Sequence, residues 1–327
     1  VARQSREPVE YGDQVYLPVS ISSLLPESVP RFDLYFRPGP EQPFVLYCER
    51  NTAFAEEARQ RLLNNRIDHV FIRQSQRHEY TRYLAENIAT ILEDKSLSPR
   101  QKSAILYDSA QAVVEDILSE PKSRENIGRG KHIVRHTVDF MSGQSFKLEN
   151  LLRSISSDYY LYTHSVNVTA YSIALATRAG FTDAATLREL ANGALLHDIG
   201  KSTVPRELLN KDTALTASEW KRMKDTPRAG YNMLAEMDCV GEVALDIVLH
   251  HRERINGLGY PDGIDEKGLS PFVRIVAIAD VFDALTTDRH HQKAKSTFEA
   301  LRIMNGTMRQ ELDAELLRKF VELMGNR

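Results

Sequence analysis

Ala-Leu-Leu-His-Asp-Ile-Gly-Lys, residues 194–201, decides the reading of this 327-residue chain. It sets His197 beside Asp198, with Lys201 a turn further on, at the end of an apolar segment. Leu187, Leu190, Ala191, Ala194 and Leu195 recur at helical spacing, which predicts an amphipathic helix with these residues on its inner face. Continuing the period carries His197 below Leu190 and Ala194, and Asp198 below Ala191 and Ala194. A carboxylate delivered to an apolar face is costly unless a cation meets it. A metal ion is the natural candidate.

Three more positions repeat the anomaly. His164 shares a helical face with Leu161, Val168, Tyr171 and Leu175, and Asp280 shares one with Val273, Val276, Ala277 and Ala284. His251 closes the apolar helix predicted over 243–249. Any one of these alone reads as a hydrogen-bonded core group. On four successive helices they read together as a ligand set. The mixture of imidazoles and carboxylates suits a divalent transition metal: Fe, Mn, Zn, Co or Ni. Such an ion polarises a phosphoryl oxygen and makes hydroxide available at neutral pH.

The rest of the chain frames that half. Its length allows two domains, each with its own core, and 42% hydrophobic with 27% charged residues is an ordinary globular balance. A formal charge of −3 supplies no basic field to hold a polyanion, which argues against DNA as a partner. Cys48 and Cys239 form no disulfide framework, which fits a cytoplasmic location. There is no apolar run of about 18 residues, so no membrane span is expected. Residues 1–20 carry no signal-peptide core, and the start at Val1 is expected to reflect trimming or an engineered boundary.

The expected fold class is α+β: a small α/β N-terminal domain followed by an all-α metal-binding domain. Strands are predicted over 15–20, 32–36, 44–48 and 69–72, and helices over 53–64 and 79–92. Residues 1–97 form the N-terminal domain, 98–147 a helical connector and 148–327 the metal-binding domain. His69 and His78 read as ordinary surface or packing residues. In the connector, Ala104, Ile105, Ala110, Val113, Val114 and Ile117 form an apolar stripe that either supports a homodimer or is buried within one chain. His132 and His136 have ligand spacing but only basic neighbours, and read as structural or solvated.

Four stretches, YLYTHSVNV (160–168), ALLHDIGKSTVP (194–205), INGLGYPDG (255–263) and RIVAIADVFDALTTDR (274–289), make residues 158–327 resemble the HD-GYP subfamily of metal-dependent phosphohydrolases. The resemblance implies an HD-type helical fold and a bacterial signalling role. It also implies hydrolysis of cyclic di-GMP to pGpG or GMP, and a signalling protein as a further partner. It assigns His164, His197, Asp198 and Asp280 to a first metal site, with Asp198 bridging to a second ion. Lys201 is implied over the metals, holding a phosphate oxygen or helping the leaving group. Gly257, Gly259 and Tyr260 are implied to contact substrate, and Arg289 to contact its phosphate.

The sequence departs from that family pattern on one side. Thr226 replaces an expected imidazole, and the His-His pair becomes His251 followed by Arg252. His250 falls one residue early, about 100° around a helix axis. Tyr160, Asn256 and Gln292 replace further expected polar residues. One well-formed metal site is therefore expected, with the second, reduced to Asp198 and His251, weak or absent. Arg252 would supply positive charge there without ionising a water, pairing with Asp198 or gripping a substrate phosphate. Two main readings follow: a weak phosphodiesterase, or a catalytically degenerate cyclic di-GMP receptor or interaction module. A third, a hydrolase of nucleoside phosphates, is disfavoured by the GYP loop.

Overall fold

The computed structural model describes residues 8–143, 161–288 and 293–325. By its internal contacts the chain divides into two units, 1–109 and 110–327. The first holds a five-stranded sheet, antiparallel throughout, in the order β1-β2-β5-β3-β4. Its strands are β1 (Val9–Tyr11), β2 (Gln14–Ser20), β3 (Leu34–Phe36), β4 (Val45–Cys48) and β5 (His69–Arg73). Helices α1 (Glu56–Asn64) and α2 (Arg77–Glu93) accompany it. Alternate residues of β5 point inward, so that Val70 and Ile72 are buried.

Strand β1 has no counterpart in the sequence reading. Its signal was the Gly12-Asp13 turn, where Gly12 takes φ +60° and lets the chain reverse into β2. Phe32 was expected to begin β3, but it precedes the strand, fully buried and edge-on to Tyr80 and Tyr83. Among the described residues, no grouping of His, Cys, Asp or Glu suited to a metal lies in this unit.

The unit boundary falls within α3 (Pro99–Ser119). In the connector, Ile105, Ala110, Val113, Val114 and Ile117 are buried, with Val113 and Ile117 beside Gly130 of α4 (Arg124–Met141). The two imidazoles of His132 and His136 lie 3.3 Å apart on α4, half-buried.

The second unit continues through α5 (Leu161–Ala179), α6 (Ala184–Leu196) and a 3-10 turn, Ile199–Thr203. Then come α7 (Arg206–Leu209), α8 (Ala217–Lys224), α9 (Thr226–Met237) and α10 (Glu242–His250). Helices α11 (Pro271–Thr286), α12 (Thr297–Asn305) and α13 (Ala314–Gly325) complete it. No helix among the described residues is long and apolar enough to cross a membrane.

Helix α6 lies at the centre, packed by α4, α5 and α10, while α5 also packs on α11. Asp183 starts α6 by accepting the Thr186 amide at 2.7 Å. Leu187, Leu190, Ala191, Ala194 and Leu195 are all buried, as their spacing predicts. Each buried leucine contributes roughly 1.5–3 kcal/mol. That anchorage carries the polar residues at the end of α6 into the interior.

One close approach fixes the turn after α6. A Cβ built on Gly200 would collide with the Thr226 carbonyl oxygen at the start of α9. Gly200→Ala is therefore expected to lower stability by about 1–3 kcal/mol. Urea unfolding checks this, and an unchanged midpoint would show that the turn yields freely.

Candidate metal centre

The helical period of α6 ends at Leu196, earlier than the sequence suggests, and His197 caps it. Asp198 then enters the 3-10 turn, with its carbonyl accepting the Lys201 amide at 2.9 Å. Residues three apart nearly eclipse one another in a 3-10 turn. The Lys201 ammonium accordingly donates to Asp198 Oδ2 at 2.6 Å. The tighter turn is what pairs these two buried groups.

Helix packing brings three more helices to this point. His164 Nε2 on α5 lies 3.2 Å from His197 Nε2, 3.2 Å from Asp280 Oδ1 on α11 and 3.5 Å from Asp198 Oδ2. His251, capping α10, puts Nε2 3.7 Å from Asp198 Oδ1. All five side chains are buried. Two overlapping triads have ligand atoms within 4.8 Å of one another: His164, His197 and Asp280; and His197, Asp198 and His251.

What stands behind each imidazole decides which nitrogen faces the centre. His197 Nδ1 contacts the Ala194 carbonyl at 2.7 Å, and His251 Nδ1 contacts the Ile247 and Val248 carbonyls. His164 Nδ1 lies 2.6 Å from Asp283 Oδ2, whose other oxygen accepts Asn167 Nδ2 at 2.7 Å. A carbonyl or carboxylate behind Nδ1 takes its hydrogen and leaves the Nε2 lone pair for a metal. His251 Nε2 and both Asp280 carboxylate oxygens are buried without a hydrogen-bond partner. This donor set fits a divalent cation.

Asp283 and Asn167 stand behind His164 in the candidate centre, and the sequence reading did not single them out. Asp283 stands one turn after Asp280 on α11, so the spacing was visible, but its partner lies 119 residues away. Asp283→Asn is expected to weaken metal affinity about 10–100-fold by loosening the tautomer and orientation of His164. Metal titration calorimetry reads this directly, with circular dichroism to verify folding. Unchanged affinity would make Asp283 a packing residue.

The opposite side of Asp198 is built differently. Arg252 Nη2 lies 3.6 Å from Asp198 Oδ1, and Nη1 lies 3.1 Å from Asp280 Oδ2. The second contact has ion-pair distance without hydrogen-bond alignment. One guanidinium thus spans two carboxylates of the centre, where the sequence reading foresaw only Asp198. Thr226 is buried, and its hydroxyl donates to the Met223 carbonyl at 2.8 Å. His250 does not join the centre. Its ring contacts Asp246 at 2.7 Å and Asp262 at 3.2 Å, tying α10 to the loop that follows.

That loop is held from beneath. The buried Glu253 carboxylate accepts the amides of Asp262, Gly263 and Ile264 at 2.7, 3.0 and 3.2 Å. A Cβ on Gly259 would strike the backbone at Glu253 and Arg254, so this glycine serves packing within the chain. Gly257 takes φ +71°, and the Tyr260–Pro261 peptide is cis. The Tyr260 amide donates to the Arg252 carbonyl at 3.3 Å, joining the loop to the arginine that reaches the centre. Asn256 accepts the Leu258 amide at 3.1 Å. Arg289, Gln292 and Tyr160 lie outside the described residues.

Charge balance follows from these contacts. Burial raises the Asp198 pKa, but Lys201 and His197 overcome it and hold the carboxyl well below its ordinary value. Burial acts likewise on Asp280, where Arg252 leads the opposing influences and the result is again well below. Burial pulls His164 down, yet Asp198, Asp280 and Asp283 together lift it well above its usual value. His251 goes the other way: burial dominates and takes it to about 4, so its imidazole is neutral at pH 7.

Helix α8 approaches the loop from another side. Thr216 and Glu219 form its capping box, and Lys211 donates to both Glu219 oxygens at 2.7 and 2.8 Å. Hydrogen bonds from Lys211 and Thr216 hold the Glu219 carboxyl down at about 2, against 4.5 ordinarily. A depressed carboxyl stabilises the fold above its unfolded pKa and loses that contribution as pH falls. Wild type should therefore lose its advantage over Glu219→Gln between pH 4.5 and about 2. Parallel melts across that window check the sign.

Comparisons with known proteins bear on the class of the domain. A family model described as HD domain matches residues 145–316, more than half of the chain. A cyclic di-GMP phosphodiesterase of Pseudomonas aeruginosa is 36% identical over 230 residues, covering 68% of this chain and 54% of its own. A 3'3'-cGAMP-specific phosphodiesterase of Vibrio cholerae is 32% identical over 156 residues, covering 48% and 34%. An HDG"Y"P protein from Bdellovibrio bacteriovorus shares the fold, with TM-score 0.66, 23% identity, and 95% and 99% of the two chains covered. The chain belongs to the HD domain family. It spans about a third to a half of the length of these two curated relatives.

Proposed function

We propose that this protein is a metal-dependent phosphodiesterase that hydrolyses cyclic di-GMP to pGpG or GMP, at low turnover. The observation that carries this reading is the convergence of three imidazoles and two carboxylates from four helix ends and faces, each imidazole turned so that Nε2 faces the centre. A divalent ion held by His164, His197, Asp198 and Asp280 supplies Lewis acidity toward a phosphoryl oxygen. Lys201 and Arg252 place two cationic groups beside it, suited to a phosphodiester anion. Arg289 is assigned to the same phosphate from the family resemblance.

Low turnover is expected from the other side of Asp198. There His251 is the remaining imidazole, Thr226 is turned to Met223, and Arg252 occupies the carboxylates. A guanidinium balances charge but does not generate hydroxide. The same observation favours one alternative, a cyclic di-GMP receptor or interaction module without turnover. In either role we place the protein in the cytoplasm, with residues 1–97 as a regulatory domain facing a signalling partner.

Metal content and product analysis with Mn or Fe separate these readings. One or two bound ions and slow release of pGpG or GMP support the enzyme. Tight nucleotide binding without product would establish the receptor, and faster cleavage of 3'3'-cGAMP would change the substrate.

A further inference from the structure

Near this centre lies a cluster that the phosphate chemistry does not use. Trp220, the chain's single tryptophan, is 48% exposed on α8. Its ring stands 6.4 Å from that of Tyr260, at 73° to it. The Lys224 ammonium lies over both rings, 5.7 Å from Trp220 and 5.6 Å from Tyr260. Among the described residues Lys224 has no carboxylate partner.

We propose that Trp220, Lys224 and Tyr260 form the docking corner for a purine base of the nucleotide whose phosphate meets the metal centre. The inference rests on the phosphodiester reading above and adds the determinant for the base.

Both walls of the corner are tied to phosphate-handling residues. Tyr260 is joined through its amide to Arg252, and the loop that carries it is fixed by Glu253 and by Asp262 contacts with His250 and Arg228. Lys224 precedes Thr226 by two residues, and the Thr226 carbonyl packs on Gly200, next to Lys201. The backbone that carries the corner is therefore joined to the backbone that carries Arg252 and lies against the turn that carries Lys201. An exposed indole face stacks on a base irrespective of sequence. The unpaired ammonium then supplies what stacking lacks, a donor for the O6 and N7 acceptors of guanine.

The single tryptophan is its own reporter. In the full metal-loaded chain, cyclic di-GMP should quench Trp220 fluorescence, and inorganic phosphate should not. Trp220→Ala should weaken cyclic di-GMP binding about tenfold or more, and Trp220→Phe less, because a smaller stacking face remains. Lys224→Met should weaken it about tenfold while keeping a stacking face. Phosphate affinity should stay the same in all three variants. Cyclic di-GMP binding with no change in fluorescence, and equal affinity in Trp220→Ala and Lys224→Met, overturns the corner but leaves the metal centre's role intact. Failure of the metal-loaded wild type to bind cyclic di-GMP or phosphate overturns the phosphodiester reading and the corner with it.

Discussion

Asp198→Asn is expected to strip the centre of bound metal and to lower stability by about 3–5 kcal/mol. The side chain keeps its shape and loses its charge, so the effect is electrostatic rather than steric. Lys201 at 2.6 Å would face a neutral amide in a buried site, while Arg252 would keep Asp280 as its carboxylate. An uncompensated buried charge costs far more than a lost surface pair. The amide also offers a single, weakly basic oxygen where the carboxylate offered two. Metal analysis by mass spectrometry and urea unfolding measure the two parts separately. Wild-type metal content in Asp198→Asn would place the ion elsewhere.

The second large effect runs in the opposite direction. Thr226→His combined with Arg252→His restores two imidazoles beside Asp198 and His251 and removes the guanidinium from Asp280. The double variant should hold a second ion and raise kcat about tenfold or more, equivalent to about 1.4 kcal/mol of barrier. Arg252→Met alone should not raise kcat, since it frees the carboxylates without adding a ligand. A second bound ion with no gain in cyclic di-GMP turnover would show that missing ligands are not what limits the reaction. Both measurements use the same protein samples, so stoichiometry and rate can be compared directly.

The helices of the second unit were legible because their signals are local. Leu187 to Leu195 mark the inner face of α6, and the same pattern exposes His164, His251 and Asp280 as polar intrusions on apolar faces. Errors arose where pairing is non-local or very short. Strand β1 has three residues, and Phe32 is buried by aromatic contacts rather than by strand pairing. At the site, Asp283 escaped notice because an aspartate one turn from another is unremarkable until His164 is packed against it. Glu253 organises three loop amides, a role that no local spacing signals.

Residue order was thus enough to place His164, His197, Asp198, His251 and Asp280 on apolar helical faces, because helical period and side-chain chemistry are local properties. The class of the domain, and the expectation of imidazoles at 226 and 252, came from the resemblance of its motifs to a family. Packing supplied the rest. It turned His250 toward Asp246 and Asp262, tightened the turn that pairs Asp198 with Lys201, and laid Arg252 across Asp198 and Asp280. A helical period says which face a group occupies, but not which group on another helix it meets. That depends on how α5, α6, α10 and α11 are placed against one another, and contacts of 3–4 Å are set there.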